Sequence, residues 1–188
     1  MEEKLVLASG SPRRLELLRQ AGIEPEVICA DVAELTGGLA PKELAEQNAR
    51  LKAAAVARLY PKRLVLGADT VVALGEEIFG KPKSPAEAVA MLTKLSGREH
   101  SVFTGVALAC GEEITSRAAE SRVRFRPLTA AEIADYVAGG EPLDKAGAYA
   151  VQGGAKGFVQ NIEGDIDNII GLPMRIVNEL LADCKFGE

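Results

Sequence analysis

Apolar residues recur at helical spacing in several segments of the chain, and each segment opens on a proline or a capping residue. This pattern predicts helices that begin at Pro12, Pro41, Pro85, Ala130 and Pro173. Two of these helices start with predicted capping boxes, Ser84 to Glu87 and Thr129 to Glu132, in which an acid occupies the third helical position. The longest helix is predicted over 41–60, and its expected buried face carries Leu44, Leu51 and Ala55.

Apolar runs and alternating runs predict the strands. One apolar run, 64–68, ends at Asp69 and is continued by 70–73, and a short hairpin is expected to follow it. Further strands are predicted at 101–109, 114–126, 149–151 and 158–162. Helices and hairpins in one chain favour an α/β fold with a mixed sheet over a purely parallel sheet. With 188 residues, of which 47% are hydrophobic, the chain fits a single domain over 1–188.

The helix predicted at Pro12 differs from the two helices with capping boxes in the charge of its first turn. It follows Ser9 and a glycine, has Ser11 as its expected N-cap, and carries Arg13 and Arg14 in its first turn. That end of a helix already has partial positive charge, so two arginines there cost stability unless an anion offsets them. Open helix amides and guanidinium groups are the parts of a phosphate site. Two solvated surface arginines are the structural alternative, and the motif alone leaves both open.

Composition narrows the class of partner. The net charge is −5 and the isoelectric point about 5.1, whereas proteins that bind a nucleic-acid backbone usually have a basic surface. We therefore expect no nucleic-acid polymer as a partner. No run approaches the ~20 apolar residues that span a bilayer, and the first residues are acidic, so we expect a cytoplasmic protein without membrane association.

Several other polar residues stand where they could act on a bound phosphate. Asp69, at the expected end of a strand, could hold a divalent metal or deprotonate a water, or be a turn aspartate. Lys81 in a glycine–proline loop could meet a phosphate, and Lys52 is a weaker candidate on a helix. Gln152 could read a base edge or satisfy backbone groups. The single histidine, His100, is expected to be structural.

Taken together, these stretches resemble the Maf family of nucleoside triphosphate pyrophosphatases. The matching segments, in the family's order, are LASGSPRRLELL (7–18), ADVAEL (30–35), LKAAA (51–55), GADTVV (67–72), GKPKSPAEAVAMLTKLSG (80–97), HSVFTGVAL (100–108), GEPLDKAGAYAVQG (140–153) and IEGDIDNIIGLP (162–173). The resemblance implies an elongated mixed-sheet α/β domain with a cleft between two lobes, similar to the inosine triphosphate pyrophosphatases. It also implies hydrolysis of a nucleoside triphosphate to the monophosphate and pyrophosphate, with a divalent cation, Mg²⁺ or Mn²⁺.

The resemblance also assigns roles to residues. The family's acid at the position of Asp69 is the catalytic proton acceptor, and the acid matching Glu34 belongs to the same site. Both carboxylates are expected to hold the metal ion. The phosphate site is implied to consist of Ser9, Arg13, Arg14, Lys52 and Lys81. The motif around Glu34 is matched loosely, because Ala33 stands where the family often has Asp.

The family divides into a branch that acts on dTTP and UTP and a branch that acts on 7-methyl-GTP. The branches differ at the positions of Arg13, Thr70 and Gln152, and this chain matches the dTTP/UTP branch at all of them. Two alternatives stay open: another modified nucleotide or 7-methyl-GTP as substrate, and a nucleotide-binding regulator of cell division with little turnover. The oligomeric state also stays open, with a homodimer among the alternatives.

Overall fold

A computed structural model describes residues 4–184 as helices packed on both faces of one seven-stranded sheet. The elements are β1 (Val6–Leu7), α1 (Pro12–Gln20), β2 (Glu26–Val27), α2 (Pro41–Leu59), β3 (Val65–Leu74), β4 (Glu77–Phe79), α3 (Pro85–Leu95), β5 (Glu99–Cys110), β6 (Glu113–Phe125), α4 (Ala130–Ala138), β7 (Val159–Glu163), α5 (Ile166–Ile170) and α6 (Met174–Asp183). Short 3-10 turns cover Glu141–Asp144, Ala146–Ala148 and Gly154–Phe158. The predicted α/β fold with a mixed sheet is confirmed. Within residues 4–184, none of the helices has the length and apolar character needed to span a membrane.

Two short strands pair with the same edge of β3 and leave a gap between them. The strands of the sheet lie in the order β2-β1-β3-β5-β6-β7, with β4 paired to the end of β3. β1 runs parallel to β3 and pairs with it at Val65 and Leu66, whereas β4 runs antiparallel and pairs with it from Val72 onwards. Because β5 pairs along nearly the whole of the other edge of β3, β1 and β4 share one edge and leave it open over 67–71. Asp69 lies in this gap.

The expectation that Asp69 ends a strand is wrong, whereas the predicted continuation over 70–73 is confirmed, because Asp69 lies inside β3. Pairing with β5 and with the β4 hairpin keeps 70–74 extended, and β3 runs on through Asp69 to Leu74. The predicted strand 149–151 is also wrong, since these residues belong to no strand of the described sheet. A turn bends the chain inside this segment, because the carbonyl of Ala150 accepts from the amide of Gly153 at 3.0 Å.

Helix α2 rests directly on the sheet at two glycines. A Cβ at Gly67 would collide with the backbone of α2 and lie 2.7 Å from the amide nitrogen of Ala53. A Cβ at Gly105, which pairs with Asp69 across β3 and β5, would collide with the carbonyl group of Ala45. Since alternate residues of a strand share one face, Gly67 and Asp69 both face α2. The two glycines therefore bring the helix directly over the Asp69 carboxylate.

This close approach also sets the buried face of α2. The expected face is correct at Leu44 but wrong at Leu51, which is 39% exposed, and Ala55 is only half-buried. The residues that face the sheet are instead mostly small: Leu44, Ala45, Asn48, Ala49, Ala53, Val56 and Ala57. A helix backbone that touches glycine can bury alanines at the contact, whereas a leucine there would hold the two backbones apart.

Local features expected from the sequence are largely present. Thr129 and Glu132 form the predicted reciprocal capping box. At Ser84 only half of the box forms, because the Glu87 carboxylate accepts from the amide of Lys83 instead of that of Ser84.

The larger core lies on the sheet face opposite α2, where Phe125 and Leu66 are fully buried.

His100 is structural, as expected. It is 2% exposed, and its Nε2 lies 2.8 Å from the hydroxyl oxygen of Tyr149. Its ring packs edge-on against Phe125, with the centroids 4.9 Å apart. Burial lowers the pKa of His100 to about 4, so the imidazole is neutral in the folded protein at neutral pH.

Candidate active site

The open edge of β3 forms the floor of a cleft of about 780 Å³. β1 and β4 both end at this gap, so the segments that follow them flank Asp69. The loop around Glu34 and the segment 144–152 complete the walls. The structure brings all the sequence-predicted site residues to this one cleft: Ser9, Arg13, Arg14, Glu34, Lys52, Asp69, Thr70, Lys81 and Gln152.

At the floor, the Lys52 ammonium lies between two carboxylates. Its Nζ is 2.7 Å from Asp69 Oδ1 and 2.8 Å from Glu34 Oε1. An ammonium group has three donors, so one remains for a ligand oxygen. Partial burial raises the pKa of Glu34, but the hydrogen bond and charge of Lys52, with Lys81 and Arg14, outweigh it and hold this pKa below its usual value. Glu34 is therefore ionised at neutral pH, because the neighbouring cations stabilise its negative charge.

Asn48, which the sequence reasoning missed, contacts Asp69 and holds the loop that carries Glu34. It is 2% exposed, accepts from the amide of Leu35 at 2.8 Å, and donates to the carbonyl of the same residue at 2.9 Å. Its Nδ2 is also 3.3 Å from Asp69 Oδ2. One side chain thus ties the Glu34 loop to α2 and contacts Asp69. A sequence signal existed: Leu44, Asn48 and Lys52 are four residues apart, so an amide falls on the apolar face.

Arg14 is buried and bonded to the protein at each nitrogen of its guanidinium group. Nε donates to the carbonyl of Gly171 (2.8 Å), Nη1 to Ser9 Oγ (3.0 Å) and Nη2 to Thr70 Oγ1 (3.2 Å). Burial lowers the pKa of Arg14, and Arg13 lowers it further, while the charge of Asp69 opposes both. Arginine stays charged in proteins, so a buried cation lies beside the Asp69 carboxylate with two N–H groups left over.

The start of α1 keeps its amides open. Ser11 is the N-cap residue, but its side chain makes no capping bond, contrary to the expectation from sequence, and Pro12 occupies the first turn as predicted. Ser9 Oγ lies at the same helix start and accepts from the amide of Ser11 (3.3 Å) and from the Arg14 guanidinium (3.0 Å). With both lone pairs of Ser9 in use, its hydroxyl hydrogen is free to donate into the cleft.

Thr70 projects to the opposite face of the sheet from Asp69, where a chain of hydroxyl groups fixes it. Thr104 Oγ1 donates to the carbonyl of Asn168 (2.8 Å), so its only hydrogen is used. Thr70 Oγ1, 2.9 Å from Thr104 Oγ1, must then donate to it while accepting from Arg14. The Thr70 hydroxyl can therefore offer only a lone pair to a ligand.

The outer walls carry the remaining candidates. Lys81 is exposed beside the cleft, and the carbonyl of its neighbour Gly80 accepts from the amide of Gly147 at 3.1 Å. Arg13 is half-buried and lines the cleft, and Gln152 lines it from the opposite wall in an exposed turn. These residues surround the Asp69 cluster and do not bond to it in the described contacts.

The acidic residues of the cleft limit the kinds of metal ion that could bind there. In the described part of the chain, no group of three or more His, Cys, Asp or Glu side chains has the arrangement of a metal centre. Asp69 and Glu34 supply two carboxylates, and Mg²⁺ is usually bound through one or two carboxylates together with substrate phosphates and waters. The donor set therefore fits a hard cation that is bound with a phosphate ligand.

A solved structure has a fold similar to that of this chain. The chain is similar to the Ham1 protein of Staphylococcus aureus, with a TM-score of 0.52 and 18% sequence identity over 95% of this chain and 96% of that chain. At this identity the similarity concerns the fold alone.

Sequence comparisons are much closer. The chain is 48% identical to the dTTP/UTP pyrophosphatase of Symbiobacterium thermophilum over 98% of this chain and 95% of that protein. It is 48% identical to the dTTP/UTP pyrophosphatase of Gloeobacter violaceus, over 97% of each chain. The family model described as "Maf-like protein" matches residues 4–184. The resemblance seen in the sequence is thereby confirmed, and this chain belongs to the Maf-like protein family.

Proposed function

We propose that this chain hydrolyses nucleoside triphosphates, with dTTP and UTP preferred, to the monophosphate and pyrophosphate. The observation that carries the proposal is the cluster of Asp69, Glu34 and Lys52 at the open edge of β3, with Arg14 beside it. Relatives named dTTP/UTP pyrophosphatase match nearly the whole chain. The same proposal places the enzyme in the cytoplasm, where these nucleotides are found.

The cations of the cleft bind the triphosphate. Lys52 has one free donor, Arg14 has two N–H groups, and Ser9 has a free hydroxyl hydrogen, and all three residues line the same cleft. Lys81 and Arg13 reach the outer phosphates from the walls. Phosphoryl transfer spreads negative charge over the phosphate oxygens, and donors fixed before the reaction stabilise this charge without reorganising.

A divalent cation, Mg²⁺ or Mn²⁺, is proposed to be held by Asp69 and Glu34 together with the phosphates. When bound, it neutralises charge on the phosphate chain and polarises its oxygens. The carboxylates of this chain suit it because they are close enough to share one ammonium group at 2.7 and 2.8 Å.

Asp69 is proposed to orient and deprotonate the water that attacks the α-phosphorus. Its Oδ1 accepts from Lys52 and its Oδ2 lies 3.3 Å from Asn48, so both oxygens have a fixed direction and still carry further lone pairs. As the water forms its bond to phosphorus, its proton passes to Asp69, the bond to the bridging oxygen breaks, and pyrophosphate leaves with those electrons.

Selection of the base is assigned to Gln152 with Thr70 and Arg13. An amide side chain both donates and accepts, which matches the edge of uracil or thymine. Thr70 offers only an acceptor, and the half-buried Arg13 narrows the entrance at the start of α1.

A panel of nucleoside triphosphates, assayed for pyrophosphate release with Mg²⁺ and with Mn²⁺, tests the proposal. We expect dTTP and UTP to give the highest kcat/KM. Asp69→Asn, which keeps the shape of the side chain, should abolish turnover while dTTP still binds and the unfolding curve stays close to wild type. Preference for 7-methyl-GTP would overturn the substrate assignment. Binding of dTTP without any pyrophosphate release would favour a regulator over an enzyme.

A further inference from the structure

The turn that carries Gln152 is held from behind by a carboxylate. Glu141 Oε2 accepts from the amide of Gly154 at 3.0 Å. A Cβ at Gly153 would collide with the same carboxylate and lie 2.6 Å from its Cδ, so any larger residue there would push Glu141 away from this position. The backbone on the C-terminal side of Gln152 is thus packed against Glu141 with no room between them.

The other side of the turn is held by Tyr136 on α4. Its hydroxyl oxygen accepts from the amide of Ala150 at 3.2 Å, and its ring lies against Gly154, 3.0 Å from the position of an added Cβ. Burial raises the pKa of Tyr136, so the phenol stays protonated. Tyr136 and Glu141 together therefore hold Ala150 and Gly154, two residues before and two residues after Gln152.

The backbone of this segment needs such support. Gly147 and Ala148 are both left-handed, and Ala148 (φ 61°) is the one non-glycine residue with positive φ among residues 4–184. That conformation is strained for an alanine and persists only where its surroundings determine it. Glu141 contributes again here, because its backbone carbonyl accepts from Lys145 Nζ at 2.8 Å.

Gln152 and Lys145 line the cleft, whereas the described lining does not include Glu141 or Tyr136. Glu141 can therefore influence a nucleotide only through the residues that it holds. We infer that Glu141 is a positioning residue for base selection: its carboxylate, which accepts from the amide of Gly154, fixes the turn from which Gln152 contacts the base. This inference rests on the proposed function for the nature of the ligand.

A double-mutant cycle tests it. Wild type, Glu141→Ala, Gln152→Ala and the double variant are compared by the ratio of kcat/KM for dTTP to that for GTP, and by the ratio of the Kd values for the same two nucleotides. We expect Glu141→Ala to lower the dTTP preference about tenfold, mainly through KM, and to have no further effect on the ratio once Gln152 is absent. Glu141→Gln, which keeps an acceptor for Gly154, should recover most of the preference.

Asp135→Ala is the matched control, because Asp135 is exposed on the same helix as Tyr136 and should leave the ratio unchanged. Equal losses for dTTP and GTP, or a loss from Glu141→Ala that is as large without Gln152 as with it, would overturn the positioning role. If wild type releases no pyrophosphate from any nucleotide, the proposed function fails, and the cycle of Kd values still decides the role of Glu141.

Discussion

Lys52 Nζ lies 2.7 Å from Asp69 Oδ1, and both side chains are almost fully shielded from solvent. The contact joins the middle of a helix to the middle of a strand, and it forms because the Gly67 and Gly105 backbones let α2 lie directly on β3 and β5. Asp69, the proposed reacting carboxylate, and its cation are therefore positioned by backbone packing and not by a flexible loop. Glu34 is the third member of the cluster, and it comes from a loop.

Replacing Lys52 by Met should affect both activity and stability. Loss of a fixed cation beside the reacting phosphate should lower kcat/KM by about 10²-fold or more. The variant also leaves Asp69 and Glu34 without their shared ammonium group, so the free energy of unfolding should fall by about 1–3 kcal/mol. Pyrophosphate release and chemical denaturation measure the two effects.

Lys81→Met is the matched control for Lys52, because Lys81 is exposed on the cleft wall. It should lower activity without a measurable change in stability. Adding Glu34→Gln to Lys52→Met should restore part of the stability and none of the activity. Wild-type turnover in Lys52→Met would remove this residue from the mechanism.

Substitutions of the adjacent Arg13 and Arg14 should likewise differ in their effect on stability. Arg14→Lys cannot reproduce a guanidinium group that donates to Gly171, Ser9 and Thr70, so we expect a loss of about 2 kcal/mol in unfolding free energy together with a loss of activity. Arg13→Lys, at a half-buried position, should change stability by less than about 0.5 kcal/mol and alter mainly KM and nucleotide preference. Equal destabilisation by the two substitutions would contradict this division.

Much of the site was predictable because its residues are carried by local motifs. The motif at Ser9 to Arg14 stands out by its charge at a helix start, and the resemblance to the Maf family supplies Lys52, Asp69 and Lys81. What the sequence could not supply was the reason these residues meet. The gap in the edge of β3 lies between the predicted β4 hairpin and β1, and the pairing of β1 with β3, which is distant in sequence, leaves no local signal.

The errors have a common physical cause. Helical periodicity assigns the buried face to the largest apolar residues, such as Leu51, but a helix lying on glycine buries alanine instead. Strand 149–151 is expected from its apolar residues, whereas a turn closed by the hydrogen bond from Gly153 to Ala150 bends the chain within it. In both cases a backbone contact or conformation overrides the side-chain pattern.

Asn48→Ala should loosen the Glu34 loop. Its amide makes both hydrogen bonds to Leu35, at 2.8 and 2.9 Å, and water can replace them only in part. We expect a loss of about 1–2 kcal/mol in stability and a higher metal concentration for half-maximal activity, because Glu34 is held less firmly. Hydrogen exchange at the Leu35 amide should become faster than in wild type. Gln47→Ala, at the exposed neighbouring position of α2, is the control, and unchanged exchange at Leu35 in Asn48→Ala would contradict this role.

Gly105→Ala should displace α2 from the sheet. The added methyl group would collide with the carbonyl group of Ala45 and lie 2.5 Å from the Cα atom of Glu46, and such overpacking costs about 1–3 kcal/mol. Because Lys52 and Asn48 contact Asp69 from this helix, kcat should fall along with stability. Gly157→Ala is the control, since nothing lies within 4 Å of its added Cβ. A crystal structure of Gly105→Ala with unchanged distances from Asp69 to α2 would refute the argument.

His100 gives the chain a pH-dependent stability that can be assigned to one residue, since it is the only histidine. The folded protein holds the pKa of its imidazole at about 4, whereas its ordinary value is 6.5. Between these values the unfolded chain binds more protons than the folded one, so the free energy of unfolding should fall as the pH drops from about 6.5 to 4, by up to ~1.4 kcal/mol per unit. Above pH 6.5 this stabilisation is fully present. Chemical denaturation of wild type and His100→Gln over this pH range measures the effect. The difference between their free energies of unfolding should shrink as the pH falls. A constant difference, or an imidazole NMR signal of the folded protein that titrates near 6.5, would show that His100 is not held neutral by burial.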